Sequence, residues 1–288
     1  MSPKPPNVVC RARGAGMWFP RDPQELRKMV DGFIGSGEAP AVNGRIVSAI
    51  SPHAGYVYSG PVAGYTFRAL KENAARGFTP ETVVVLGFTH RVDFPGVAIM
   101  DGDAIETPLG QTPLDSEAAD VLMQGRRRIV LDSTPHAGEH SAENQIPFVQ
   151  RALPGARVVL ALAGDHSAAT QDELLAALTD LASRKAITVV ASSDMLHDPD
   201  YDRVARTDRG TLKTVAAMDA KAVLSGWGYE AQTFCGIVPV MTAMRFAEAR
   251  GCRKGTVLHY RNSGDDHPES RGQWVVGYGA VVFAAPPA

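Results

Sequence analysis

"TVVVLGFTH", residues 82–90, decides how the chain is read. Val83 to Leu86 is an unbroken apolar, mostly β-branched run. Such a run suits a strand buried on both faces, the environment of a parallel sheet covered by helices. The run meets Gly87 and ends on His90. Similar strand-like segments recur: "RIVSAI" (45–50), "GVAIM" (96–100), "RVVLALAG" (157–164), "ITVVASS" (187–193), "TVLHY" (256–260) and "WVVGYGAVVF" (274–283). Helix-like segments lie between them, at 61–74, 115–124, 141–153, 171–184, 203–224 and 236–250. Another helix is predicted in "RDPQELRKMVDGFIGSG", with Asp22 as N-cap, Pro23 in the first turn and an apolar stripe from Leu26 to Ile34. Thr170 and Glu173 have the spacing of a capping box. The alternation predicts an α/β fold, a three-layer α/β/α sandwich with a mostly parallel central sheet. One domain over residues 1–288 is expected, with residues 1–10, rich in proline, as a loose N-terminal segment.

Composition narrows the function classes. A net charge of −2 and a pI near 6.4 argue against a nucleic-acid binder that works through bulk charge. The compact basic run at 126–128 reads as a solvated loop or helix end. Three scattered cysteines, Cys10, Cys235 and Cys252, do not make a disulfide framework. No segment has signal-peptide character or membrane-spanning length. A soluble cytoplasmic protein is therefore expected, with a small-molecule substrate and no nucleic-acid or membrane partner.

The strand ends carry the chemistry. "IVSAISPH" stops on His53, "TVVVLGFTH" on His90, and "ITVVASSDMLH" on Asp194 and His197. In a parallel sheet the carboxyl ends share one edge, where ligands bind. Three histidines and an aspartate from distant segments should converge there, and a metal ion is the economical reason to gather neutral imidazoles. Cys235, followed by Gly236 and a predicted helix, offers a further soft ligand or a nucleophile; a small buried hydrophobe is the plainer reading of it. "GEHSAENQIPF" places Glu139, His140 and Glu143 at a helix start, where Glu143 orients an imidazole, binds substrate, or only satisfies the helix dipole. Tyr56 and Tyr58 follow His53 as pocket wall or core filler. His166 and His267, in loop-like surroundings, are expected to be exposed or capping.

In order along the chain, "AGMWFPRDPQELRKMVDGFI", "SPHAGYVYSGPVAGY", "VVVLGFTH", "EHSAENQIPF", "ASSDMLH", "FCGIVP" and "NSGD…VVGYGAVVF" resemble the Memo family, called AmmeMemoRadiSam system protein B in prokaryotes. The resemblance implies a fold similar to the class III extradiol dioxygenases, which open catechol rings with non-heme Fe(II) and O2. By that resemblance His53 and His90 match metal histidines and Cys235 occupies the third ligand position. His197 matches the acid/base histidine with Asp194 beside it, and Trp18 and Tyr58 match pocket aromatics. A thiol in place of the dioxygenase carboxylate tilts metal preference toward copper(I) or zinc. Arg91, in "FTHR", departs from the family's pattern and would favour an acidic substrate.

The leading expectation is a non-heme Fe(II) oxygenase-like enzyme acting on a small oxidisable substrate. His197 would move a proton and His140 would steady the anion. The alternatives are a copper- or iron-binding redox or interaction protein without turnover, and a metal-free hydrolase or transferase with Cys235 as nucleophile. Radical-SAM partner proteins are what the family resemblance adds.

Overall fold

The computed structural model describes residues 8–228 and 231–286. In chain order the elements are β1 (Val9–Arg11), α1 (Pro23–Gly35), β2 (Arg45–Ser51), α2 (Tyr56–Ala75), β3 (Thr82–Phe88), β4 (Val97–Ile99), β5 (Ala104–Thr107) and β6 (Gly110–Pro113). Next come α3 (Ser116–Met123), β7 (Ile129–Leu131), α4 (Ile146–Ala152), β8 (Arg157–Ala163), α5 (Ala168–Arg184), β9 (Ile187–Ser192) and β10 (His197–Asp198). The chain closes with α6 (Tyr201–Ala216), α7 (Ala220–Ser225), α8 (Ile237–Ala249), β11 (Gly255–Asn262), α9 (Ser263–Asp266) and β12 (Val275–Ala285).

The large sheet runs β10-β12-β2-β9-β3-β8-β4-β7, with β11 also on β12. Its centre, β2-β9-β3-β8, is parallel as the apolar runs predict. The flanks differ from the expectation of a mostly parallel sheet: β12 is antiparallel to β2, to β10 and to β11, and β4 is antiparallel to β8. Periodicity reports whether a strand is covered on both faces, not its direction, so the antiparallel flanks had no signal.

Period-two alternation sorts β3 between two cores. Val83 and Val85 pack with Leu26 and Val30 of α1, Phe67 of α2 and Phe148 of α4; Val84 and Leu86 pack with Leu178 of α5 and Val240 of α8. The result is the expected three-layer sandwich. A smaller sheet, β1-β5-β6, has no counterpart among the expected strands, because its members are short and carry polar residues. Of the expected loose stretch 1–10, residues 1–7 lie outside the described residues, and Val9 and Cys10 pair in parallel with Ala104 and Ile105. Among the described residues no helix is long and apolar enough to cross a membrane.

Local signals hold at α1, where the Asp22 carboxylate accepts from the N–H groups of Gln24 and Glu25. Elsewhere tertiary contacts shift the boundaries. The capping box at Thr170 is not formed: Ser167 caps α5 by accepting from Thr170 N, while Glu173 accepts from the backbone of Arg127 and Arg128. The span 203–224 is two helices, parted at Met218, whose φ is 59°, with Asp219 capping the second. Residues 141–153 open with a 3-10 turn, Glu143–Gln145, before α4. α2 starts at Tyr56 rather than at 61, because Tyr56 N is taken by the carbonyl of Trp18 and Pro61 is accommodated inside the helix.

The α1–α2 contact relies on absent side chains. A Cβ on Gly64 would sit 2.4 Å from the Phe33 carbonyl oxygen. Gly64→Ala must therefore separate the helices, and a loss of about 1–3 kcal/mol is expected, as for other overpacked interiors. Urea denaturation reads this directly; an unshifted midpoint would mean the helices part without cost.

Candidate metal centre

The strand order β2-β9-β3 sets the carboxyl ends that bear His53, Asp194 and His90 side by side. A third imidazole, that of His140, comes from elsewhere. Gly87 in β3 has no side chain, and a Cβ there would lie 2.6 Å from Ser141 Oγ. The segment bearing Glu139 and His140 can therefore lie directly on the strand. Ser141 fixes it there, donating from Oγ to the Phe88 carbonyl (2.8 Å) and accepting from Phe88 N (3.1 Å).

One ring nitrogen from each of His53, His90 and His140 falls within 4.8 Å of the others. Each imidazole has its Nδ1 beside a fixed oxygen: His53 beside Ser192 Oγ at 3.1 Å, His90 beside Glu139 Oε1 at 3.1 Å, and His140 beside the same oxygen at 3.3 Å. This leaves the three Nε2 atoms as the available donors, the arrangement that outer hydrogen bonds impose on metal-binding histidines. Burial pulls His53 well below the ordinary imidazole value and His140 to about 4. Burial also pulls on His90, but its hydrogen bonds to Cys235 and Glu139 outweigh that and lift it to about 10.

Glu139 is the hub. Its Oε2 accepts from His90 N (2.7 Å), and its Oε1 accepts from His140 N (2.8 Å) and Ser141 N (2.9 Å). Burial alone would raise this carboxyl, yet the bonds with His90 and the backbone hold it well below the usual carboxylate range. In the sequence Glu139 is one of several helix-start acids. Only its position immediately before His140 sets it apart.

Cys235 is buried beside the cluster, its Sγ 3.4 Å from His53 Nε2 and 3.5 Å from Ser193 Oγ. Asp194 takes the backbone N–H groups of His53 (2.8 Å) and Ala54 (3.3 Å) on Oδ1. Burial pushes its carboxyl up to about 6 despite those bonds. His197 has Nδ1 2.9 Å from the Met195 carbonyl, so Nδ1 carries the proton and Nε2 is available. Burial lowers its pKa.

His53, His90, His140, Asp194 and His197 line a cavity of about 720 Å³. Its other walls are largely apolar and include Trp18, Tyr58, Trp274 and Tyr278. Trp18 stacks on His140 with ring centroids 3.9 Å apart and planes within 6°. Glu143 is not in this wall; it accepts from Arg13 N (3.1 Å) and Gly14 N (2.6 Å) and so anchors the turn that presents Trp18. Arg91 lines a different cavity, behind His90. Of the residues expected to be peripheral, His267 lies against the Tyr58 ring, and His166, expected to be exposed or capping, stacks on Phe88.

A family model described as Memo-like protein matches residues 11–282. Similar over almost their full lengths are MEMO1 family proteins of three organisms. That of Methanopyrus kandleri is 35% identical, over 93% of this chain and 96% of the relative. That of Methanothermobacter thermautotrophicus is 33% identical, over 90% and 95%. That of Nitrosopumilus maritimus is 32% identical, over 93% and 97%.

Proposed function

This chain belongs to the Memo family, and from that premise we propose that it is a metal-dependent, oxygenase-like enzyme using non-heme Fe(II) on a small aromatic substrate. The observation that carries this reading is the three-imidazole cluster at the floor of an aromatic-walled cavity. Imidazoles with fixed Nδ1 partners suit Fe(II), copper and zinc. His53, His90 and His140 would hold the ion, with the Cys235 thiol in reach. Among the described residues the donors within mutual reach are the three imidazoles, and no carboxylate belongs to that group. Iron(II), when bound, supplies Lewis acidity and open positions for substrate and dioxygen.

The chain's own residues do the rest. Trp18, Tyr58, Trp274 and Tyr278 enclose a planar substrate and exclude water. His197 Nε2, neutral near pH 7, takes the hydroxyl proton of a phenolic substrate and can return it later. Asp194, through His53 N and Ala54 N, fixes the turn that carries His53. Three unpaired cysteines suit a reducing cytoplasm.

Anaerobic reconstitution with Fe(II), followed by oxygen-consumption assays over a catechol panel, tests this reading. His53→Ala should lose the metal. His197→Gln should keep it while turnover falls about 10²–10⁴-fold, the usual scale of acid–base assistance. Wild-type protein that fails to bind Fe(II), or a His197→Gln variant as fast as wild type, would defeat the proposal. The Cys235 thiol favours a second reading, a copper(I) redox or interaction protein. Stoichiometric copper(I) binding with no turnover across the panel would select it.

A further inference from the structure

The cluster is approached from two sides of opposite character. On one side lies the large cavity, and four of its wall residues, Met17, Val57, Tyr58 and Trp274, are among the exposed large hydrophobics. On the other lies a cavity of about 540 Å³ whose wall includes His90, Arg91, Asp93, Asp165, His166 and Cys235. His90 belongs to both walls, and Cys235 to the second. We propose that this second, polar cavity is the route by which the metal ion reaches the three-histidine cluster, kept apart from the apolar route taken by substrate. The proposal rests on the metal-centre reading above.

The chemistry of the two walls separates the cargoes. A hydrated cation passing the collar of Met17, Val57 and Trp274 loses solvation, with the exposed Glu25 carboxylate as the charged group on that outer wall to offset it. The polar wall offers oxygen, nitrogen and sulfur donors in succession. Asp93 is exposed at the outer side. Asp165 and His166 follow the carboxyl end of β8, which is in register with β3, Phe88 opposite Ala163. That pairing places them beside Thr89 and His90. Asp165 is locked by Gly96 N (2.7 Å), Ser167 N (2.8 Å) and the Thr170 hydroxyl (3.0 Å), with Arg128 Nη1 3.9 Å away partly offsetting its charge, so it is a fixed group in the wall rather than a ligand that would trap the ion. The thiol of Cys235 comes last, 3.4 Å from His53 Nε2. A soft donor there lets an ion shed water stepwise before the imidazoles close on it. Arg91 brings a guanidinium to this wall, and it opposes entry. Opposite charges in one wall give the test its sign.

The experiment follows uptake of Co(II) alone by chelator-stripped full-length protein, by stopped-flow absorbance, with equilibrium affinity measured in parallel. Asp93→Asn combined with His166→Asn should slow uptake about tenfold, within the range that local fields change association rates. Release should slow equally, so affinity stays the same. Asp93→Asn alone, at an exposed position, is the variant least able to disturb folding and should slow uptake by about threefold at low salt, with the effect fading as salt rises. Arg91→Gln should speed uptake. Trp274→Ala, which opens the apolar collar, should leave the rate unchanged. Uptake unaffected by Asp93→Asn and by Arg91→Gln, or accelerated by Trp274→Ala, overturns the route while leaving the centre intact. Wild-type protein that takes up no Co(II) overturns the centre and the route together.

Discussion

Glu139→Gln is expected to weaken metal binding by about 10–100-fold without removing any ligand, the scale seen when outer-shell partners of metal histidines are changed. The carboxylate accepts on both oxygens: Oε2 from His90 N, and Oε1 from His140 N and Ser141 N, with the His90 and His140 rings beside it. An amide has one acceptor oxygen and one donor nitrogen. If the oxygen stays with His140 and Ser141, an NH2 faces the His90 N–H, and two donors oppose each other in a buried site. If the amide flips, His90 N is served and the other two donors are stranded. Either choice costs about 1–3 kcal/mol for an unsatisfied buried group, and either also frees an imidazole to rotate. Chelator-competition titration measures the affinity, and a denaturation curve measures the stability. A variant that binds metal as wild type does would show that the imidazoles are held by something other than Glu139. Asp194→Asn makes a useful contrast, because Asp194 contacts the backbone of His53 and Ala54 rather than a ring nitrogen at hydrogen-bond distance.

The parts of this centre legible in the sequence are those delivered by strands. His53, His90 and His197 each follow an apolar run, and the rule that parallel strands share a carboxyl edge is enough to bring them together. His140 belongs to no strand. It reaches the cluster because Gly87 leaves room and Ser141 bonds to Phe88, and nothing in the spacing of "GEHSAENQ" reports a contact made 53 residues away. Glu143 illustrates the same gap from the other side. Its three-residue offset from His140 suggests a shared task at the site, yet its carboxylate is turned to Arg13 and Gly14, about 130 positions earlier. Arg91 follows His90 directly, but a strand end can present neighbours to different cavities, and Arg91 faces the polar one. The sandwich is readable for a related reason. Burial on both faces leaves continuous apolar runs, whereas strand direction and the short β1-β5-β6 sheet depend on pairings that composition does not encode.

Asp208→Asn should change how stability depends on pH. Asp208 lies in α6 and is fully buried. Its Oδ1 accepts from Leu196 N (3.2 Å), and its Oδ2 accepts from the Tyr260 hydroxyl (2.9 Å). Gly277 makes the space, since a Cβ there would fall 1.7 Å from Asp208 Oδ2. The carboxyl therefore braces the turn that ends in His197, from beneath and out of the cavity. Burial pushes it up to about 7, even though the bonds from Tyr260 and Leu196 favour the charged form. In the unfolded chain the same group titrates near 3.8. The folded state thus holds the proton more tightly. Stability from this group is complete below about pH 4, declines as the unfolded chain ionises first, and is gone once pH has risen through 7. Asparagine keeps the size and the acceptor for Leu196 N but does not titrate. The wild type should accordingly lose stability relative to Asp208→Asn between pH 4 and pH 8, by on the order of a few kcal/mol, given ~1.4 kcal/mol per pKa unit. Urea denaturation of both proteins at pH 4, 6 and 8 measures the difference, and comparing the two cancels the other titrating groups. Curves that stay parallel across this range would mean the buried carboxyl ionises as easily in the fold as out of it, and that Tyr260 and Leu196 already compensate fully for its lost water.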